Sequence, residues 1–311
     1  MKVLFVHHGR SFLPELPAYR ECLEEAGHGT DVSMEPMSAA LCSRYDLIFR
    51  FGGVLREIPG STTPEVHEYH SASTTRLPRL KNFIKSVVAK RPAGRVFLSP
   101  FVRRQYFFND NAPEIYRDMG ASRVFIDCWN PDSRKQYDLT YCGSIAGRPT
   151  VVAALCRLGR LGLRVSIAGR ATAAQAQMLL EAPNLFFAGE LEASQVPTFL
   201  ADARAGLNLC PNRYPFREQT STKVIEYLAA GIPVVSNKYP WIEHHSKALG
   251  YQYLDIERVD SLEDLDNFHA GGLPAAKREE LTWPVILERA GFVTFLESAA
   301  TTTCSPTSGA V

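Results

Sequence analysis

The stretch EQTSTKVIEYLAAGIPVVS, residues Glu218–Ser236, decides the fold of this chain. It opens as a polar turn, continues as a short helix over Lys223–Ala230, and passes through Gly231 into the strand Val234–Ser236. Glycine directly after a helix is the usual stop, because it adopts the left-handed backbone without strain. A short, apolar strand of this kind is typical of a parallel sheet that helices cover on both faces.

The same alternation of strand and helix extends outward from this stretch in two series. Such spacing predicts the α/β class with a parallel sheet in each series. We therefore predict two tandem, Rossmann-like, doubly wound domains over residues 1–132 and 133–280, then a helix within 281–299 and a disordered tail over 300–311. The predicted strands are Val3–Val6, Asp46–Phe51, Val66–Tyr69, Val96–Leu98, Leu139–Cys142, Arg164–Ala168, Leu185–Phe187, Ala205–Leu209, Val234–Ser236 and Tyr251–Leu254. The predicted helices are Tyr19–Ala26, Thr150–Leu161, Ala173–Leu180, Gln195–Ala201, Lys223–Ala230 and Trp283–Glu297.

Length and composition exclude several classes of protein. The 311 residues are 45% apolar and 22% charged, as in an ordinary globular protein and unlike a disordered or fibrous one. The 34 basic and 33 acidic residues nearly cancel, which argues against a nucleic-acid partner. No apolar run approaches the roughly 18 residues of a membrane span. The apolar N-terminal stretch is too short for a signal peptide, so we expect a cytoplasmic protein.

The cysteines and histidines do not predict a metal site. The seven cysteines contain no C-x-x-C pair, and such a scattered set indicates reduced thiols. The histidine doublets His7–His8 and His244–His245 lack metal-ligand spacing. We therefore expect no metal in the site.

The polar turn before Lys223 has the chemistry of a phosphate site. Thr220–Thr222 supply hydroxyls at the beginning of a helix, where unsatisfied N–H groups and the helix dipole attract anions. Lys223 adds a mobile positive charge. Glu218 and Glu226 flank the site, and a carboxylate can accept hydrogen bonds from two neighbouring hydroxyls of a ribose or a sugar.

This region resembles the E-x7-E segment of retaining GT-B-fold glycosyltransferases of the glycosyltransferase group 1, or family 4-like, type. Three more segments follow the family's order, Tyr141–Arg148, Val165–Gly169 and Asn184–Gly189, and are similar to successive strands and loops of the donor domain. Leu281–Trp283 is similar to the entry to the terminal helix that crosses back to the N-terminal domain in this fold. The resemblance covers about residues 136–299 and implies the GT-B fold.

The resemblance also implies roles for the residues of the site. Glu226 would bind the ribose hydroxyls, and Glu218 would face the donor sugar as a catalytic residue. Arg148 and Lys223 would neutralise the diphosphate, whose developing charge makes the transfer difficult. The donor would be a nucleoside-diphosphate sugar, linked to UDP or GDP, with no cofactor and no metal in the chemistry. The full set of predicted donor-binding residues is Gly143, Ser144, Arg148, Gly169, Thr220, Ser221, Thr222, Lys223 and Glu226.

The sequence departs from the family pattern in two segments. Gln219–Ser221 stand where members often have a glycine and an aromatic residue after the first glutamate. Ser144 stands where many members have an arginine, so Arg148 would act with less help.

In the N-terminal domain, candidate residues lie at the carboxyl ends of strands, where ligands bind in open parallel sheets. Gly9 and Arg10 follow the first strand and Arg50 lies near the end of the next, which predicts an acceptor side. His70 follows Val66–Tyr69, where the family often places a histidine that touches the donor sugar or phosphate, so we predict it as catalytic. No strand end matches G-x-G-x-x-G, which disfavours a nicotinamide-dependent dehydrogenase.

The stretch Arg76–Arg104 contains nine basic residues and no acidic one. Two interpretations are open: the cationic face attaches the protein to anionic lipid at the inner face of a membrane, or the apolar stripe packs on the sheet and the lysines are solvated. We favour packing of the stripe, because a core would claim it, and keep electrostatic attachment as a hypothesis. The stripe has the spacing of an amphipathic helix and consists of Leu80, Phe83, Ile84, Val87 and Val88.

These observations predict a glycosyltransferase. It would move a sugar from a nucleoside-diphosphate sugar to a hydroxyl of a glycan, a glycolipid or a lipid-linked acceptor, with retention of the anomeric configuration. Alternatives on the same fold are a nucleotide-sugar epimerase, which would turn over donor without acceptor, and a non-catalytic nucleotide-sugar-binding module. An inverting transferase is a further alternative within the same class.

Overall fold

The computed structural model describes residues 1–7, 9, 13–34, 37–74, 77–126, 128, 130, 132–268 and 273–302. The chain divides into two compact units, Met1–Met119 with Trp283–Val311, and Gly120–Thr282. Each unit contains a six-stranded sheet. The sequence places the domain boundary between residues 132 and 133. Part of the predicted connecting segment, at residues 127, 129 and 131, lies outside the described residues.

The sheet of the first unit is parallel throughout its described strands. Its strands are β1 (Lys2–Val6), β2 (Gly29–Ser33), β3 (Leu47–Phe51), β4 (Glu65–Tyr69), β5 (Gly94–Phe97) and β6 (Glu114–Tyr116). Its first helices are α1 (Glu15–Glu25), α2 (Ala39–Cys42), α3 (Pro78–Val88) and α4 (Pro100–Arg103). The order across the sheet is β2-β1-β3-β4-β5-β6, so the chain reverses direction beside β1. Ligands bind beyond the carboxyl ends of strands at such a reversal.

The second unit repeats the doubly wound plan, and its described strand pairs are also parallel. Its strands are β7 (Tyr137–Cys142), β8 (Val165–Ala168), β9 (Leu185–Gly189), β10 (Ala203–Asn208), β11 (Val234–Ser236) and β12 (Tyr253–Asp255). Its helices are α5 (Pro149–Arg160), α6 (Ala173–Glu181), α7 (Val196–Ala201), α8 (Thr222–Ala230), α9 (Pro240–Leu249), α10 (Leu262–Asp266) and α11 (Ala275–Glu279). Short 3-10 turns lie at Arg123–Phe125, Ala193–Gln195, Phe216–Glu218 and Ile256–Arg258. The order β12-β11-β10-β7-β8-β9 places the reversal between β10 and β7.

The C-terminal helical segment belongs to the first unit. The sequence predicts one helix over Trp283–Glu297, but the structure has two, α12 (Trp283–Arg289) and α13 (Phe292–Ala300). The break occurs because Gly291 adopts a left-handed backbone, with φ of 62°. The Phe292 ring stacks on Tyr19 of α1 with 4.4 Å between ring centroids. Residues 303–311, which fall in the predicted tail, lie outside the described residues.

The helix α3 turns polar residues inward, which contradicts the expectation that its apolar stripe packs on the sheet. Its buried residues are Asn82 and Ser86. Asn82 Oδ1 accepts a hydrogen bond from the Ser73 amide at 3.2 Å, and Ser86 Oγ accepts one from the Phe107 amide at 2.9 Å. Every residue of the predicted stripe is exposed, by 37% to 65%. The expectation was wrong because two loop amides require polar acceptors on the inner face of the helix.

Among the described residues, no helix has the length and hydrophobicity of a membrane span.

Candidate functional site

The first turn of α8 has the features of an anion site. Ser221 precedes the helix with φ of −93° and ψ of 108°, and its hydroxyl donates to Asn208 Oδ1 at 2.9 Å. The Ser221 side chain makes no capping hydrogen bond to this helix. The N–H groups and the positive end of the dipole at a helix N-terminus attract anions, and the Ser221 side chain does not compete with an anion here. Thr220 and Thr222, on either side of Ser221, are half-buried.

A buried asparagine, Asn208, holds this turn in place. It is the last residue of β10 and is only 2% exposed. Its Nδ2 donates to Ser236 Oγ at 2.9 Å and to Tyr239 Oη at 3.0 Å, while its Oδ1 accepts from Ser221. One side chain thus joins the carboxyl ends of β10 and β11 to the start of α8.

The Lys223 side chain extends from the first turn of α8 over Gly143 to the Tyr141 ring. Its Nζ lies 5.4 Å from the centroid of the Tyr141 ring. A Cβ atom on Gly143 would collide with Lys223 Cε, and a Cβ atom on Gly169 would collide with the Gly143 carbonyl oxygen. Both glycines have φ values, 152° and 137°, that disfavour other residues. Gly143 therefore makes room for the Lys223 side chain at the end of β7, and Gly169 makes room for the Gly143 backbone at the end of β8.

We expect Gly143→Ala to weaken binding of a nucleoside-diphosphate sugar about tenfold, a change of about 1.4 kcal/mol. The added methyl group would displace the Lys223 side chain. Calorimetric titration measures the affinity. The matched control is Gly147→Ala, because Gly147 also has a positive φ, 72°, but no atom within 4 Å of an added Cβ. Equal affinity losses in the two variants would attribute the effect to backbone strain and contradict this account.

Arg148 places a second positive charge in this unit. Its Nη1 donates to Tyr141 Oη at 3.1 Å and to the Ser144 carbonyl at 3.4 Å, and its Nη2 donates to the Leu209 carbonyl at 2.7 Å. Tyr141 therefore contacts both predicted diphosphate-binding cations. Burial raises the pKa of the Cys210 thiol to about 11, and the positive charges of Lys223 and Arg148 both oppose that rise. Both cations are therefore close enough to act on the same thiol.

Glu226 lies one turn into α8 and is half-buried. Burial raises the pKa of its carboxyl group to about 7, and the positive charge of Lys223 opposes the rise. No hydrogen bond joins this carboxylate to another described side chain. Its oxygens are thus able to accept hydrogen bonds from two adjacent hydroxyls, the role that the resemblance implies.

Glu218 has a different environment. It ends the 3-10 turn Phe216–Glu218, its side chain is 33% exposed, and its Oε1 lies 3.2 Å from Arg217 Nε. The carboxylate is partly neutralised by this pair. Its predicted role toward the donor sugar stays a prediction.

In the first unit, His70 follows β4 and contacts two buried carboxylates. Its Nε2 lies 3.0 Å from Glu15 Oε1 and 3.2 Å from Glu68 Oε1. Burial lowers the pKa of the imidazole, but the charges of Glu68 and Glu15 outweigh it and raise the pKa to about 9. His70 is therefore an imidazolium at neutral pH. It can donate hydrogen bonds and attract an anion, but it is poorly suited to accept a proton.

The possible ligand atoms of Glu15, Glu68 and His70 lie within 4.8 Å of one another, a spacing that could hold a metal ion. The chemistry of the cluster does not fit one. Arg117 donates to Glu68 Oε1 from Nε at 2.8 Å and from Nη2 at 2.5 Å. With an imidazolium and a guanidinium already facing two carboxylates, the cluster is a charge-balanced ion-pair network.

Two of the three predicted acceptor-side residues, Gly9 and Arg50, lie within the described part of the first unit. Gly9 follows β1 with φ of 66°, and its amide donates to His7 Nδ1 at 3.1 Å. Arg50 Nη1 donates to Glu65 Oε2 at 2.6 Å and to the Arg56 carbonyl at 2.8 Å. Its guanidinium is therefore engaged within the unit. Arg10 lies outside the described residues.

Comparison with known proteins identifies the type of fold. No protein-family model matches the sequence, and no curated protein matches it. The structure is similar to AviGT4, a glycosyltransferase involved in avilamycin A biosynthesis, with a TM-score of 0.64 at 16% identity over 98% of this chain and 99% of that one. It is similar to sucrose-phosphate synthase from Thermosynechococcus elongatus, with a TM-score of 0.64 at 12% identity over 96% and 100% of the two chains. Anabaena HepE, solved with UDP and glucose, has a TM-score of 0.63 at 12% identity over 96% and 100%. The chain has the GT-B fold.

The GT-B fold confirms the architecture predicted from the sequence, two Rossmann-like units with the C-terminal helical segment on the N-terminal one. At these identities the similarity establishes the fold. Sequence reasoning missed five residues of this GT-B chain that position the candidate sites. A polar residue ending an apolar strand could have indicated Asn208, and Tyr141 has a partner only seven residues away in Arg148. The remaining three have partners that are distant in sequence. The five are Glu15, Glu68, Arg117, Tyr141 and Asn208.

Proposed function

We propose that this protein is a glycosyltransferase that moves a sugar from a nucleoside-diphosphate sugar to an acceptor hydroxyl. The observation that supports it most is the first turn of α8, which the Ser221 side chain does not cap, together with Lys223 and Arg148, both in contact with Tyr141. This is the chemistry that a pyrophosphate needs. The GT-B fold and its glycosyltransferase neighbours are consistent with it.

We propose that the cations of this site stabilise the departing nucleoside diphosphate. Negative charge develops on the phosphate oxygen as its bond to the sugar breaks. Preorganised donors aimed at developing charge usually contribute more to catalysis than any other effect. The α8 amides and Lys223 would supply such donors, while Arg148 adds long-range positive charge. Glu226 would accept hydrogen bonds from the two ribose hydroxyls and so orient the nucleoside.

We further propose transfer with retention. The bond between the anomeric carbon and the phosphate oxygen breaks, and the acceptor oxygen bonds to that carbon on the same face. The acceptor's proton passes to the departing phosphate oxygen, so no protein base is required. In this scheme Glu218 faces the donor sugar, and His70 acts as a cation rather than as a base. The proposed acceptor is a glycan, a glycolipid or a lipid-linked hydroxyl, reached from the cytoplasmic side.

A screen of nucleotide sugars tests the proposal. Thermal-shift measurements with UDP-, GDP-, ADP- and dTDP-sugars should reveal selective stabilisation by one of them. Transfer from that donor to acceptors, followed by NMR of the product, reports the anomeric configuration. Stabilisation by none of the four would contradict a nucleotide-sugar site. Conversion of the donor without an acceptor would instead indicate the epimerase alternative.

The affinity for a nucleotide sugar should rise about tenfold between pH 6 and pH 8, because the carboxylate form of a group with a pKa near 7 grows by that factor. Only the ionised form of Glu226 can accept from both ribose hydroxyls. A nucleotide sugar is the suitable ligand, since its pyrophosphate does not titrate in this range. Calorimetric titration at several pH values measures the effect.

The control for this pH dependence is Glu226→Gln, which should bind weakly at every pH. Because the folded state raises the pKa of Glu226 from 4.5 to about 7, the stability of the folded protein falls as pH rises from 4.5 to about 7 and stays at the lower value above that. The variant should therefore keep or increase the thermal midpoint at pH 8 while it loses affinity. A lower midpoint would assign Glu226 a structural role, and the same pH dependence of affinity as in the parent would show that another group titrates.

A further inference from the structure

The outward side of α3 is an apolar surface that nothing in the described chain covers. Six side chains form it, and they are 46% to 65% exposed. The Phe107 ring extends the surface beyond the helix and meets the Phe83 ring edge-on, with 5.6 Å between centroids. We call it the α3 face: Leu77, Leu80, Phe83, Ile84, Val87 and Phe107.

The orientation of this helix is fixed from its inner side. Asn82 and Ser86 are 1% and 8% exposed and accept hydrogen bonds from the amides of Ser73 and Phe107. Ser86 Oγ also donates to the Asn82 carbonyl at 2.8 Å. Rotating the helix to bury its apolar side would leave these polar groups unsatisfied or would expose them. The α3 face is therefore a permanent feature of the surface.

Positive charges border the α3 face on both sides. At 100° per residue, Lys81 and Lys85 fall along one edge of the apolar arc and Arg79 falls along the other. None of the three forms an ion pair with another described residue, and the sequence from 77 to 104 contains no acidic residue. Burial and the neighbouring charge of Lys81 lower the pKa of Lys85, so a cation stands beside a cation without a counter-ion.

We propose that the α3 face docks this protein onto a bilayer that contains anionic lipid. The apolar side chains enter the boundary between headgroups and acyl chains, and the bordering cations contact the headgroup phosphates. A helix that lies in a membrane interface has this arrangement, with apolar residues on one side and lysine or arginine along its edges.

A second copy of the chain fits the α3 face less well. A two-fold symmetric dimer brings the same surface of each subunit together, so the cations would face identical cations without compensation. An anionic bilayer satisfies both the apolar area and the charge. The docking proposal does not depend on the proposed transfer reaction, since vesicle binding is measured without donor or acceptor.

Co-sedimentation of the full chain with sucrose-loaded vesicles tests the proposal. At low salt the protein should pellet with phosphatidylcholine vesicles that contain about 30% phosphatidylglycerol, and much less with pure phosphatidylcholine. The double variant F83S/I84S should lower the partition coefficient at least about tenfold, because it removes two inserted apolar side chains. The matched control M178S/L180S changes two residues of α6 that are 53% and 63% exposed, and it should bind like the parent.

Four further measurements test whether the α3 face inserts into the bilayer. F83W should show blue-shifted emission, and quenching by lipids brominated in the acyl chain, beyond that of the parent. If K81Q/K85Q abolishes binding while F83S/I84S binds like the parent, attachment is purely electrostatic and insertion is wrong. If F83S/I84S instead dissolves a dimer seen by sedimentation velocity, and no variant pellets with vesicles, a second copy occupies the face. Unchanged thermal midpoints exclude misfolding of the variants.

Discussion

Lys223→Met should lower kcat/KM for sugar transfer about 10²–10³-fold, the usual effect of removing one preorganised donor from a developing oxyanion. Lys223 is half-buried, lies against the Tyr141 ring and stands in the first turn of α8, where its charge adds to that of the helix dipole. Because the charge on the leaving phosphate grows in the transition state, kcat should fall more than KM rises. Initial rates with the donor found by screening measure both.

The control for this prediction is Lys247→Met, an identical change at an exposed position of α9 in the same unit. It should leave kcat/KM and the thermal midpoint unchanged. A Lys223→Met variant with normal rates would remove the cation from the proposed mechanism. If the rate loss is matched by a lower thermal midpoint, Lys223 stabilises the fold instead.

Glu68→Gln should destabilise the protein by about 3–5 kcal/mol, the range seen when one partner of a buried ion pair is removed. Glu68 is fully buried, and its Oε1 accepts from Tyr19 Oη at 2.7 Å as well as from Arg117. The amide cannot balance the guanidinium and the His70 imidazolium. Urea denaturation measures the change in the free energy of unfolding, taken from the transition of the first unit. Glu24→Gln, which breaks an exposed pair with Arg20, should cost at most about 1 kcal/mol.

The pH dependence of this network follows from its pKa values. Burial raises the pKa of Glu68, but Arg117 and His70 outweigh it and lower the pKa from 4.5 to about 2. The stability that Glu68 contributes is therefore complete above pH 4.5 and is lost as pH falls toward 2. The contribution of His70, whose pKa is raised from 6.5 to about 9, is complete below pH 6.5 and is lost as pH rises through 9. The difference between parent and Glu68→Gln should shrink toward pH 2, and a constant difference would contradict the ion-pair account.

Much of the candidate site in the second unit could be predicted because it is local in sequence. The turn, the helix start, Lys223 and Glu226 lie within one short segment, and a helix N-terminus attracts anions wherever it occurs. The supporting residues could not be predicted in the same way. Asn208 acts through its contact with Ser221, and Tyr141 through its contact with Lys223. Tyr141 and Lys223 become neighbours only when β7 and β10 pair.

In the first unit, the buried ion-pair network could not be predicted from the sequence. The strand β4 contains three acidic or basic side chains, Glu65, His67 and Glu68, which would ordinarily face solvent. All five of its residues are nevertheless buried. Glu68 is accommodated because Tyr19 and Arg117, each 49 residues away, bring a hydroxyl and a guanidinium to it. Nothing next to Glu68 in the sequence indicates those partners.

By itself, the sequence determined the alternation of strands and helices, the two parallel sheets and the helix stop at Gly231, where the backbone has φ of 80°. These follow from residue periodicity and from the conformational freedom of glycine, which act over a few residues. Only the tertiary structure decided which side of α3 faces the protein. Amphipathic spacing defines two sides of a helix but not their direction. The amides of Ser73 and Phe107 required the polar side, because an unpaired buried amide is more costly than an exposed apolar side chain.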